Sequence, residues 1–193
     1  MSAGRVGLRR QLRELRRDVP AAARIGAAGG LAAQLLAQPL APGSRVAGYW
    51  AADGEIPLHV WQLRLSPDVT YCLPVLHEDG CLRFAPWNAG EPVQPNRYGI
   101  PEPVVDPAAL LSPESLDLVV VPLVGFDHRC HRLGMGGGWY DRSFAFRQHR
   151  PAPPRLVGAA FAFQQVDGAL PSKDWDVQLD AVCTDLSTLS RAP

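Results

Sequence analysis

The run Phe126-Asp127-His128-Arg129-Cys130-His131-Arg132-Leu133-Gly134-Met135-Gly136-Gly137-Gly138-Trp139-Tyr140-Asp141-Arg142 gathers the residue types that phosphate chemistry needs. Glycines let successive backbone N–H groups converge on phosphate oxygens with no Cβ in the way. Arg132 and Arg142 carry charge suited to neutralising phosphate. Asp141 offers a carboxylate of the kind Mg2+ takes, alongside phosphate oxygens and water. The run is not a Walker A loop, because no Gly-Lys-Ser/Thr follows. It is not a dinucleotide G-x-G-x-x-G either, because Trp139 stands where the last glycine should be. On the glycines alone, a tight strand-to-helix turn with no ligand is the competing reading.

The elements that must position this run follow from periodicity. Leu8, Leu12, Leu15 and Val19 fall at helical spacing among Arg9, Arg10, Arg13, Arg16 and Arg17, which predicts an amphipathic helix stopped by Pro20. Its arginines read as a solvated face unless something binds them. An Ala-rich helix is predicted over residues 24–37 and a short one over 58–65. Strands are predicted over 45–51, 69–75 and 81–84, the last two joined by the Asp79-Gly80 turn. Residues 85–107 read as a long ordered loop. The valine-rich run 118–124 predicts a strand buried on both faces of a parallel sheet. A helix over 140–148, a strand over 156–163 and a last strand over 181–185 complete the pattern. Strands alternating with helices predict an α/β fold: one three-layer, Rossmann-like domain spanning 1–193, with a largely parallel or mixed central sheet and helices on both faces.

The match to a known family extends well beyond the glycine-rich run. Leu8-Arg9, Gly48-Tyr49-Trp50 with Glu55-Ile56, Leu73-Pro74-Val75 and Tyr98-Gly99-Ile100-Pro101-Glu102-Pro103 occur in order before it. Gln164-Gln165-Val166, Leu170-Pro171, Trp175-Asp176, Leu179-Asp180 and Thr184-Asp185 follow it. This collinear set resembles the 5-formyltetrahydrofolate cyclo-ligase family. Three positions depart from the family pattern. Arg5 stands where a lysine is usual, Leu58 replaces a threonine, and Cys130 replaces a glycine.

The resemblance implies an enzyme that closes 5-formyltetrahydrofolate to 5,10-methenyltetrahydrofolate with ATP and Mg2+. It implies that the backbone of residues 134–138, flanked by Leu133, Trp139 and Tyr140 and including Gly134, Met135, Gly136, Gly137 and Gly138, holds the nucleotide. Arg132 is the implied catalytic charge, and Arg5 and Arg9 are implied nucleotide contacts from the first helix. Trp50, Glu55 and Tyr140 are implied folate contacts, and Asp141 and Asp176 implied Mg2+ ligands. The alternative is a non-catalytic relative of the same fold that binds folate or nucleotide.

Composition is consistent with such an enzyme. Lys+Arg and Asp+Glu balance at 19 each, so no net field points to nucleic acid or a membrane. The hydrophobic share of 47% supports a full core without staples. Cys72, Cys81, Cys130 and Cys183 form no C-x-x-C pair and read as reduced thiols. His128, Cys130 and His131 are too crowded for a zinc site. The expectation is a cytoplasmic monomer whose partners are small molecules, a folate and ATP, with no nucleic acid and no membrane.

Overall fold

The computed structural model describes residues 2–192. Helix α1 (Ser2–Arg17) and helix α2 (Ala21–Leu36) meet at Pro20, whose fixed φ of −60° ends one and starts the other. Strand β1 (Arg45–Ala47) leads to the single-turn α3 (His59–Gln62), then to β2 (Thr70–Leu76) and β3 (Leu82–Pro86). Two short strands, β4 (Val93–Pro95) and β5 (Pro101–Pro103), pair as a hairpin. Strand β6 (Leu118–Pro122) is followed by a second small hairpin of β7 (Gly125–Phe126) and β8 (Arg132–Leu133). Helix α4 (Trp139–Ser143), β9 (Arg155–Ala160), β10 (Ala181–Thr184) and β11 (Thr188–Ser190) complete the chain.

Seven strands form the main sheet in the order β11-β10-β9-β6-β1-β2-β3. The five inner strands run parallel, and β3 and β11 pair antiparallel at the two edges. The predicted doubly buried strand is β6, whose Leu118, Val119, Val120 and Val121 are all at most 1% exposed between β9 and β1. Side chains alternate between two cores. Val46, Leu73, Val120, Val157 and Ala181 pack under α2 and α3. Ala47, Cys72, Val119, Val121 and Val182 pack with Phe144 beyond α4. That period of two, with helices over both faces, is the three-layer α/β arrangement.

Several expectations need correction, among them the strand expected over 156–163, which ends at Ala160 before a 3-10 turn over Ala162–Gln164, and the helix expected over 58–65, which spans only His59–Gln62. The helix expected over 140–148 breaks after Ser143, where Phe144 turns to φ −112°, and continues as a 3-10 turn over Ala145–Gln148. The stretch 85–107 is not all loop, since it holds the β4–β5 hairpin. Its three-residue, proline-bearing strands carry no hydrophobic alternation to read. Strand β10 is not the last, because β11 follows it on the edge. Strand β1 spans only Arg45–Ala47 rather than 45–51. No single helix among the described residues is long and apolar enough to cross a membrane.

Helix α2 packs through Ala28, Leu31, Ala32 and Leu35, one stripe at i, i+3, i+4, i+7 spacing. Neighbouring glycines on this helix predict opposite effects. A Cβ at Gly29 would meet nothing within 4 Å, whereas one at Gly30 would lie 2.1 Å from the Asp185 carbonyl oxygen. Gly29→Ala is therefore expected to stabilise by up to about 1 kcal/mol through helix propensity. Gly30→Ala is expected to destabilise by about 1–3 kcal/mol, because backbone must move. Urea midpoints check both, and a stabilised Gly30→Ala would contradict the packing described.

Candidate active site

The chain reverses direction across the sheet between β1 and β6. Strand β1 continues to β2 on one side, and β6 continues to β9 on the other. Both run parallel, so the segments leaving their carboxyl ends emerge together, at the kind of crevice where α/β sheets bind ligands. Residues 48–55 leave β1, and the glycine-rich run leaves β6. Helix α1 touches both segments. Arg9 Nε donates to the Gly134 carbonyl at 2.8 Å, and Arg16 Nη1 donates to the Leu123 carbonyl at 3.1 Å. Arg16 Nη2 donates to Asp53 Oδ2 at 2.8 Å.

The bend rests on the β7–β8 hairpin. Asp127, fully buried, accepts from the backbone N–H of Arg129, His131 and Leu170 at 2.9, 3.0 and 2.9 Å, and pairs with His131 Nδ1 at 3.2 Å. Burial opposes ionisation of Asp127, but these donors outweigh it and hold its carboxyl below the usual range. Cys130, at the family's glycine position, has φ +62°, the left-handed conformation that glycine adopts without strain. Burial pushes the Cys130 thiol up to about 11 and the Cys72 thiol up to about 12, so neither is a nucleophile at neutral pH. Gly136 and Gly138 lie at φ +99° and +68°, turning the chain into α4. With five residues, α4 contributes little macrodipole.

Arg132 is nearly buried and closes a triangle. Its Nη2 donates to Asp141 Oδ1 at 2.5 Å and its Nη1 to the Val177 carbonyl at 2.5 Å, while the Val177 N–H donates to the same Asp141 oxygen at 3.1 Å. Asp176, beside Val177, accepts from the Lys173 N–H at 3.0 Å and lies 3.6 Å from Arg5 Nη2. The sequence-predicted Arg5, Arg9, Arg132, Asp141 and Asp176 are therefore brought to one bend. Leu133 is buried beneath it and Met135 is exposed. Arg142 donates through Nη1 and Nε to the carbonyls of Gly137 and Gly80 at 2.9 and 2.8 Å, tying the bend to the β2–β3 turn. The guanidiniums of Arg97 and Arg142 lie 5.0 and 5.2 Å from the Trp139 ring centroid, and the Trp139 indole N–H donates to Tyr98 Oη at 3.4 Å.

Among the described residues no three His, Cys, Asp or Glu side chains are grouped to cage a metal. Mg2+ does not need such a cage, since it commonly takes one or two carboxylates with phosphate oxygens and water. Asp141 uses only Oδ1, and Asp176 only Oδ2, in the protein hydrogen bonds described. The donor set fits that coordination.

On the β1 side, Glu55 is mostly buried. Its Oε2 accepts from the Ala52 N–H at 3.0 Å and its Oε1 lies 3.8 Å from Arg16 Nη1. Burial pushes its carboxyl up, and the Ala52 N–H and Arg16 partly offset this. Its charge also helps raise the phenols of Tyr49 and Tyr140, after burial, so Tyr140 and Glu55 share one neighbourhood. Tyr140 stacks on Phe144, with centroids 6.3 Å apart. Trp50 is 38% exposed and packs edge-on against Trp87.

The first helix is not simply a solvated face. Arg16 is 1% exposed, and with Arg13 and Arg17 it surrounds Asp53. Burial opposes ionisation of Asp53, but the hydrogen bonds from Arg13, Arg17 and Arg16 hold its carboxyl at about 2, against an ordinary 3.8. Stability from this depressed carboxyl is fully present above about pH 4 and is lost as pH falls through about 2, amounting to roughly 2 kcal/mol. Asp53→Asn should flatten that acid limb in thermal melts taken from pH 5 to 2; an unchanged limb would contradict the clamp. Asp53, Arg16 and Arg97 are absent from the sequence-derived site. The available signals were the Asp53-Gly54 turn and the i, i+3, i+4 spacing of Arg13, Arg16 and Arg17.

The sequence profile of the 5-formyltetrahydrofolate cyclo-ligase family matches residues 1–185. The chain belongs to the 5-formyltetrahydrofolate cyclo-ligase family. It is 39% identical over 151 residues to the 5-formyltetrahydrofolate cyclo-ligase of Escherichia coli, covering 76% of this chain and 80% of that one. It is 38% identical over 138 residues to that of Haemophilus influenzae, covering 69% and 72%. The 5,10-methenyltetrahydrofolate synthetase of Aquifex aeolicus superposes with a TM-score of 0.80 at 26% identity, over 96% of this chain and 92% of that one. A 5,10-methenyltetrahydrofolate synthetase from Mycoplasma pneumoniae shares the fold, with a TM-score of 0.71 at 23% identity, over 94% and 98%. The family places the chain among ligase-type enzymes of folate and one-carbon chemistry.

Proposed function

We propose that this chain, as one cyclo-ligase domain over 1–193, closes 5-formyltetrahydrofolate to 5,10-methenyltetrahydrofolate using MgATP, with release of ADP and phosphate. The observation that supports this most is the meeting of the 48–55 and 123–141 segments at the β1/β6 crevice, with α1 bonded to both. One segment suits a phosphate tail and the other a polar heterocycle.

The substrate's N5-formyl group is an amide, and its oxygen leaves poorly as hydroxide. Bound MgATP supplies the phosphoryl group that makes this oxygen a good leaving group, phosphate, when N10 attacks the formyl carbon. The backbone N–H groups of residues 134–138 receive phosphate oxygens. Arg132 leans on the same oxygens with charge, held in orientation by Asp141 and the Val177 carbonyl. Asp141 and Asp176 would hold Mg2+ through the oxygens not used in protein hydrogen bonds. Arg5 and Arg9 complete the nucleotide side from α1. Glu55 accepts hydrogen bonds from the polar pterin edge, and Trp50 and Tyr140 flank the folate. The protein's work is positioning and charge neutralisation, with no covalent nucleophile required.

The test is an absorbance assay of purified protein with 5-formyltetrahydrofolate. Methenyl product should appear only with MgATP, matched one to one by phosphate release. Product without ATP, or tight folate binding with no turnover, would overturn the proposal.

A further inference from the structure

The turn that carries Glu55 is held by more arginine than the chemistry above uses. Asp53 accepts from Arg13 Nε at 2.7 Å and Arg16 Nη2 at 2.8 Å on one oxygen, and from Arg17 on the other. Arg16 Nε also donates to the Asp53 carbonyl at 2.9 Å, and Arg24 of α2 donates to the Gly54 carbonyl at 2.6 Å. Asp53 sits at φ +49°, a backbone that Asp and Asn tolerate better than most residues. Both its carboxylate oxygens are taken by guanidiniums, so its influence on a ligand must pass through the turn. Glu55 lies two residues on, and its Oε2 accepts from the Ala52 N–H at 3.0 Å, inside the same turn.

We propose that Asp53 is a positioning residue for the folate: through its arginine clamp it fixes the turn from which Glu55 meets the substrate. The inference rests on the assignment of Glu55 to folate recognition. Helix α1, which supplies three arms of the clamp, is also bonded to the β6 end through Arg16 and the Leu123 carbonyl. The Glu55 carboxylate is thereby held at a set distance from the glycine-rich bend. A turn ordered in advance loses less freedom when substrate binds, which lowers KM without new contacts.

The test is a double-mutant cycle of Asp53→Asn and Glu55→Gln, reading kcat, folate KM and ATP KM. Asparagine keeps the left-handed backbone and one acceptor but removes the charge. Each single change should raise the folate KM by about 10-fold and leave the ATP KM within about 2-fold. The double variant should be no worse than Glu55→Gln alone, because Asp53 acts through Glu55. Should Asp53→Asn fold poorly, Arg13→Gln removes one arm of the clamp and should shift the folate KM the same way by a smaller factor. Additive effects, or a lowered Tm with unchanged kinetic constants, would overturn the inference. A raised folate KM in Glu55→Gln with none in Asp53→Asn or Arg13→Gln would remove this inference and leave the Glu55 assignment standing. No change in Glu55→Gln would remove both.

Discussion

Asp141→Asn is expected to lower kcat by at least about 100-fold, equivalent to about 2.7 kcal/mol of transition-state stabilisation, while Tm moves by only a few degrees. The asymmetry follows from how the two oxygens are used. Oδ1 accepts from Arg132 and the Val177 N–H, and an amide oxygen can keep both bonds. Oδ2 takes part in no protein hydrogen bond described here, and it becomes an amide nitrogen that repels a cation. Asparagine is more informative than alanine, which would leave the nearly buried Arg132 without its carboxylate and mix folding with chemistry. Raising Mg2+ should recover part of the lost rate. Retention of more than about a tenth of wild-type kcat at saturating Mg2+ would remove the metal role of Asp141.

The second large effect concerns stability. Asp127→Ala is expected to cost about 3–6 kcal/mol, because one buried and two part-buried backbone N–H groups lose their acceptor at once. In a chain of this size each kcal/mol moves Tm by about 2–4 °C, so a fall of roughly 10 °C or more is expected. Asp127→Asn should fall between, since one side of an amide accepts while the other meets further donors. Chemical denaturation read by far-UV CD checks the order, and a loss under about 1 kcal/mol in the alanine variant would contradict the network. Asp127 ties residues 129–131 to Leu170, so it anchors the hairpin from which the glycine-rich bend departs.

Much of this arrangement was legible in the sequence where burial dictates residue type. Residues 118–124 could hardly be other than a strand covered on both faces, and β6 is one. The bend itself was legible from its glycines and flanking charges. The sequence also named Arg5, Arg9, Arg132, Asp141 and Asp176, which the fold brings to one bend, although their proposed roles rest on chemistry. What escaped is of two kinds. Strands β4, β5 and β11 are only three residues long, too short for any alternation to mark them, and β4 is wholly exposed. The pairing of Asp53 with Arg13, Arg16 and Arg17 is long-range, and local pattern cannot say which carboxylate a helix face will find. Arginines at i, i+3 and i+4 look like a solvated face until a partner 37 residues away buries one of them. Arg142 shows the same limit: its type suits phosphate, but residue type alone does not reveal that its Nε and Nη1 also donate to two carbonyls that shape the bend.

A crystal structure of the protein with a non-hydrolysable ATP analogue, Mg2+ and 5-formyltetrahydrofolate tests the central claim most directly. The account predicts the triphosphate on the N–H groups of residues 134–138, the metal against Asp141, and the formyl oxygen facing the terminal phosphate, with the pterin edge on Glu55. A triphosphate lodged away from this bend, or a folate bound with Glu55 facing empty solvent, would contradict it.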